Sequence, residues 1–176
     1  MFERFTRQAR EVVTGAVEQA EREGARRVGA KHMLLALLGR ETRSSALLTE
    51  AGVTREVVAE AFDVITRRGG LTDAEADALR SLGIDVDTVV EHVEREHGTG
   101  ALSEPRAARL ARVPFADETK DLLSATLHQA LDNRDRRIGD EHMLLALAAG
   151  GGAAAQVLAA HGLTYAQLRA RLAKAA

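Results

Sequence analysis

Gly29-Ala30-Lys31-His32-Met33-Leu34-Leu35-Ala36-Leu37 is written twice in this chain, returning as Gly139-Asp140-Glu141-His142-Met143-Leu144-Leu145-Ala146-Leu147 with two substitutions. The offset is 142 − 32 = 110, and it holds on both sides without a gap. It aligns Phe5 with Phe115, Gln19-Ala20 with Gln129-Ala130, Arg26-Arg27 with Arg136-Arg137, Gly52 with Gly162 and Thr54 with Thr164. Where identity lapses, apolar character persists: Val12-Val13 meets Leu122-Leu123, Val17 meets Leu127 and Val28 meets Ile138. The chain therefore reads as two copies of one unit, residues 1–67 and 113–176, with an insert at 68–112 between them. Units of this size rarely bury their apolar faces alone, so the copies must pack on each other.

Composition limits the rest. A chain of 176 residues fits one domain, or two halves sharing a core. Apolar residues make up 45% and aromatics only 3%, so the core is built from Leu, Val and Ala. A net charge of −2 with mixed signs argues against a nucleic-acid binder, which would concentrate positive charge on one face. The absence of cysteine removes disulfides, thiol catalysis and thiolate metal sites, and suits a reducing compartment. Charge at Glu3, Arg4 and Arg7 leaves no room for a secretory signal there. The uncharged run from Met143 to Ala155 is too short and glycine-rich to span a bilayer, so no membrane partner is expected. The expectation is a soluble, cytoplasmic protein.

Helical periodicity runs throughout. Phe5, Ala9, Val12, Val13, Ala16, Val17 and Ala20 form one stripe, with Thr6 as N-cap and Gly24 as stop. Helices follow at 30–38, 44–50 and 55–67, the first apolar on most sides and so expected at the centre of its half. In the insert, Thr72 caps a helix to Leu79, and Asp85 or Asp87 opens another to about Glu96. Leu79-Arg-Ser-Leu-Gly83-Ile resembles Leu48-Thr-Glu-Ala-Gly52-Val and Leu158-Ala-Ala-His-Gly162-Leu, a partial third copy of one helix–Gly–helix corner. Residues 98–114, with Gly98, Gly100, Pro105, Pro114 and the cluster Arg106, Arg109 and Arg112, read as a mobile linker. The second copy repeats the order with helices at 116–132, 140–149, 153–160 and 165–174. No stretch alternates with period 2, so the fold class is all-α.

Catalytic chemistry is hard to find. Gly150-Gly151-Gly152 lacks the Lys and the preceding strand of a phosphate loop, and reads as a connector. His92 and His97 are five apart, about 140° from each other on a helix, which suits a solvated face better than a zinc pair. His32 and His142 open equivalent helices, where an imidazole bonding back to the first helix of its own half would fix the junction. No Gly-x-Ser-x-Gly elbow occurs. Neither an enzyme nor a cofactor is expected.

Met1-Phe-Glu-Arg-Phe-Thr6, the helix after it, and Val28-Gly-x-x-His-Met-Leu-Leu-Ala-Leu resemble the N-terminal domain of Clp/Hsp100 unfoldases, in the ClpC branch; Val113-Pro-Phe115 through Leu147 resembles that family's second repeat. The resemblance covers about 5–66 and 113–175. It implies a pseudo-twofold eight-helix bundle that binds client proteins, adaptors or degradation tags for an ATP-dependent Clp protease, here as a stand-alone module without the ATPase parts. In that branch each repeat can bind phosphoarginine through a Thr after the Phe and the Glu of a Thr-Glu-His triplet. The first copy matches at Thr6 but carries Lys31 in place of Glu; the second matches at Glu141 but carries Ala116 in place of Thr. A cation at Lys31 repels a guanidinium and attracts a phosphate. Phe2 and Phe115 match the positions at which that branch receives cyclic peptides, although Phe115 serves equally well as core. Two functions follow as expectations: a non-enzymatic protein-binding module, or a decoy that sequesters cyclic peptides aimed at a Clp unfoldase.

Overall fold

The computed structural model describes residues 2–103 and 113–173. The linker expected at 98–114 falls largely on 104–112, outside the described residues, as do Arg106, Arg109 and Arg112. After a 3₁₀ turn at Phe2–Arg4 come α1 (Arg7–Glu23), α2 (Ala30–Leu38), α3 (Arg43–Glu50) and α4 (Arg55–Arg67). The insert forms α5 (Asp73–Ser81) and α6 (Val86–His97). The second copy forms α7 (Asp117–Asp132), α8 (Asp140–Ala149), α9 (Ala153–Ala160) and α10 (Tyr165–Ala173). Among the described residues there is no β-strand, and the protein is all-α.

Local signals set these ends. Thr6 accepts a hydrogen bond from Ala9 N at 3.1 Å and opens α1; Gly24, at φ 66°, closes it in the left-handed region that glycine tolerates best. Thr72 and Glu75 form a reciprocal capping box that starts α5. The stripe on α1 is buried at Phe5, Ala9, Val12, Val13, Ala16 and Ala20, while Val17 is half-buried. Helices α2 and α8 are covered nearly all round, from His32 to Leu37 and from His142 to Leu147.

The two copies are joined by crossed chain segments. Phe5 bridges to Ile138, with Thr6 N–H donating to Ile138 O at 2.8 Å and Ile138 N–H to Arg4 O at 2.9 Å. The equivalent bridge joins Phe115 to Val28, with Val28 N–H donating to Pro114 O at 2.8 Å and Ala116 N–H to Val28 O at 3.0 Å. Each copy thus completes the other about a pseudo-twofold axis. The chain divides into a unit of Met1–Val58 with Arg106–Ala176, holding the first copy as far as Val58 together with the second copy, and a second unit of Ala59–Pro105. The second unit begins inside α4, nine residues before the insert expected from sequence. It is built on Ala76, Val86 and Val90, with Leu71 and Leu79 packed against them.

Among the described residues no single helix is long and apolar enough to cross a membrane. Helices α8 and α9 pass only as a pair, and they bend by 97° with most of their apolar residues inside the core.

Candidate functional site

Because the bridges cross, four helix N-termini meet in two pairs. The first junction joins the start of α1 to the start of α8, through Phe5 and Ile138. The second joins the start of α7 to the start of α2, through Phe115 and Val28. Each start leaves backbone N–H groups without intrahelical partners and carries the positive end of a helix dipole.

This arrangement regroups the residues singled out from sequence. Thr6 belongs with Glu141 at the first junction, and Ala116 belongs with Lys31 at the second. Sequence reading pairs them within copies, as two half-matching sets; the crossed bridges give one matching set and one that departs at both positions. Phe2 lies in the 3₁₀ turn leading into the first junction, its side chain outside the described residues. Phe115 forms the bridge of the second junction and is half-buried, between the core and contact roles open to it.

At the first junction the Thr6 oxygen accepts from Ala9 N, leaving its hydroxyl hydrogen to donate outward. Glu141, in the first turn of α8, folds its carboxylate back over Gly139, into the space a Cβ at 139 would take, so a side chain there would displace the carboxylate. Burial raises the Glu141 pKa, and Asp140 and Asp135 push the same way, against its own backbone N–H and His142. Asp140 is buried, and its Oδ2 has no hydrogen-bond partner.

The second junction has a different electrostatic pattern. Lys31 Nζ lies 3.3 Å from Glu23 Oε2, at the end of α1. Burial opposes ionisation of Glu23, but the Gln19 amide, Lys31 and His32 outweigh it and hold the carboxyl below its usual value. The Glu118 carboxylate stands over Gly29, 3.5 Å from where a Cβ would be. Glu118 was missed from sequence because its counterpart is Gln8 and it approaches Gly29 only through the crossing.

His32 and His142 hold the two junctions in shape. His32 Nδ1 accepts from Gly29 N–H at 2.9 Å, and Nε2 stands 3.6 Å from Glu23 of α1. His142 Nδ1 accepts from Gly139 N–H at 2.9 Å, so Nε2 carries the hydrogen and donates to Asp135 Oδ2 at 2.9 Å. Asp135 lies just beyond α7 rather than in it, so the second imidazole bonds back to a loop. Burial lowers the His32 pKa despite the opposing pull of Glu23. His92 and His97 are exposed on α6. Among the described residues no group of three His, Cys, Asp or Glu side chains could hold a metal ion.

The comparisons with known proteins agree with this architecture. Residues 4–77 match the family model of the Clp repeat (R) N-terminal domain. The chloroplastic chaperone protein ClpC2 of Oryza sativa subsp. japonica is 30% identical over 173 residues, covering 98% of this chain and 15% of its own length. The chloroplastic ClpC1 of Arabidopsis thaliana is 31% identical over 159 residues, covering 90% of this chain and 13% of its own length. The N-terminal domain of the chaperone ClpD from Arabidopsis thaliana superposes with a TM-score of 0.53 at 20% identity, over 97% of this chain and 92% of that one. A structure described as a preliminary investigation of a malarial protein secretion system superposes at 0.63 and 15% identity, over 97% and 93%. The chain belongs to the Clp repeat N-terminal domains. It spans about 15% of the length of the ClpC2 relative it matches.

Proposed function

We propose that this chain is a non-catalytic protein-binding module of the Clp system, which engages client proteins or adaptors for an ATP-dependent Clp protease. The membership in the Clp repeat N-terminal domains supports that class, and the first junction carries the finer reading. There a hydroxyl with a free hydrogen and two converging helix N-termini suit a phosphate, while the Glu141 carboxylate suits a guanidinium. A phosphoarginine side chain combines both groups. The second junction, with Ala116 and Lys31, lacks both matching residues, so one phosphoarginine binds per chain. Amide shifts during titration with phosphoarginine are the test. Movement at Thr6 and at 138–141, with none at 28–31 and 116, supports the reading. Loss of all shifts in Glu141→Lys supports it further, whereas equal movement at both junctions, or none, removes it.

A second reading rests on Phe115, whose half-buried ring at the second junction can meet an apolar ligand. On this reading the chain sequesters cyclic peptides as a decoy for a Clp unfoldase, with Phe2 as the other contact. Calorimetry with such a peptide decides it: heat that vanishes in both Phe2→Ala and Phe115→Ala supports the decoy, and no heat with the unaltered protein ends it.

A further inference from the structure

The insert contains the helix–Gly–helix corner for a third time, and its backbone reproduces the other two. Ile84 N–H donates to Leu79 O at 3.0 Å, as Val53 N–H does to Leu48 O at 2.9 Å and Leu163 N–H to Leu158 O at 2.8 Å. Gly83, Gly52 and Gly162 turn each corner at φ 86°, 79° and 67°. All three sit where a left-handed residue satisfies the last helical carbonyls.

The first two corners are partners. His161 Nδ1–H donates to Ala51 O at 3.1 Å, and these positions are equivalent, since 161 − 51 = 110. A residue that touches its own equivalent lies at the twofold axis, so corners one and two meet head to head about that axis. The apolar positions around them are closed: Val53, Val58, Leu163 and Leu168 are all 0% exposed.

The third corner has apolar residues at the equivalent positions and leaves them exposed in larger part. The residue matching Ala51 and His161 is Leu82, 77% exposed. Ile84 matches Val53 and Leu163 and is 46% exposed; Val89 matches Val58 and Leu168 and is 48% exposed. Small scattered apolar exposure is ordinary, but Ile84 and Val89 occupy positions closed in both sister corners, and Leu82, whose counterparts Ala51 and His161 are half-buried where those corners meet, stands beside them, which marks a face built for contact. The surrounding charge suits a partner of like composition. Arg80 stands between Asp77 and Asp87 at 2.5 and 3.8 Å, so the rim carries both signs within one turn. Two such rims facing each other about a twofold set Arg80 of each against acids of the other.

We propose that the third corner pairs with the third corner of a second copy of this chain, about a true twofold axis passing beside Leu82. The pairing imitates, between molecules, what corners one and two do within the molecule. Three apolar side chains give a contact at the small end of the interface range, so the association is weak and reversible.

Sedimentation equilibrium on the full chain, up to roughly 500 µM, covers the range in which a contact this small is half-associated. The expected result is a concentration-dependent monomer–dimer equilibrium that Leu82→Glu abolishes while circular dichroism and the melting temperature stay unchanged. Because the chain contains no cysteine, Leu82→Cys gives a clean second measurement. A residue beside a twofold axis meets its own copy, so this variant forms an intermolecular disulfide on mild oxidation at least about tenfold faster than Val64→Cys, an exposed apolar position on α4. A monomer at every concentration, a dimer that survives Leu82→Glu, or equal cross-linking of the two variants overturns the proposal.

Discussion

Arg134 holds φ at 60°, the only left-handed residue other than glycine among the described residues, at the position where the first copy has Gly24 at 66°. The duplicated backbone demands that turn in both places, and Asp135 N–H closes it onto Ala130 O at 2.8 Å as Ala25 N–H does onto Ala20 O at 2.9 Å. A side chain in this region costs on the order of 1 kcal/mol. Arg134→Gly should therefore raise stability by about 1 kcal/mol, read as a higher urea midpoint with unchanged slope. A similar exchange of residue under fixed geometry occurs between α4 and α10. Arg55 Nη2 donates to Gln19 Oε1 at 3.0 Å, while its equivalent, Tyr165, donates its hydroxyl to Gln129 Oε1 at 2.9 Å. Tyr165→Phe should lower stability by roughly 1 kcal/mol, the usual worth of a partly buried hydrogen bond. His32 adds a pH dependence. Its folded pKa lies below the unfolded value, so its contribution is complete above about pH 6.5 and falls away as the imidazole protonates below that. In His32→Gln the loss of stability between pH 7 and 5.5 should shrink, which thermal melts across that range will show.

At the level of elements, the insert is held by charge more than by apolar burial, since its core is little more than Ala76, Val86 and Val90. Glu94 is nearly covered, accepts from Arg67 at 2.5–3.1 Å and from Gly100 N–H at 2.8 Å, and so links the end of α4, α6 and the turn beyond it. The Arg67 guanidinium and the Gly100 amide hold its pKa down to about 2, from 4.5. A depressed carboxyl stabilises the fold above its unfolded pKa and stops doing so as pH falls through the folded value. The exchange protection of α5 and α6 amides, taken against the intrinsic rate at each pH, should therefore fall between about pH 4.5 and 2, earlier than in α1 and α7. In Glu94→Gln that acid step should disappear and neutral-pH exchange should already be fast. Helices such as these were legible in the sequence because each signal is local: Thr6 and Thr72 as caps, Gly24 and Gly52 as stops, the α1 stripe at period 3.6. A second likeness, Leu79-to-Gly83 against Leu48-to-Gly52 at 79 − 48 = 31 residues, exposed the third corner as well. What the sequence could not reveal was the pairing of Thr6 with Glu141. An identity alignment relates equivalent residues, whereas contact at a pseudo-twofold crossing relates residues from opposite copies.

That crossing governs the whole molecule. Phe5 is 0% exposed and lies in the first copy's sequence, yet its bridge is to Ile138 of the second; Val28, also 0% exposed, is bridged by Phe115. Thr119 Oγ1, fully buried at the start of α7, donates to Val28 O at 2.9 Å and ties the two copies again. On the far side, Arg43 caps the carbonyls of Arg171 and Leu172 at the end of α10. Neither copy is therefore a folding unit, although each is written as one. The segment 1–58, expressed alone, should lack the segments that bridge to it at Phe115 and Ile138 and remain largely unfolded, with Phe5 and Val28 exposed to water. Mixed with a separately made 106–176, it should recover helical circular dichroism with a one-to-one stoichiometry, because the bridges are non-covalent. Phe5→Ala in the first piece should weaken that recovery by about 3–5 kcal/mol, the cost of emptying a large buried aromatic site. If 1–58 instead folds alone with a cooperative melt, the crossed bridges are an embellishment on two independent bundles. The shared junction proposed for ligand recognition would then no longer be imposed by the fold.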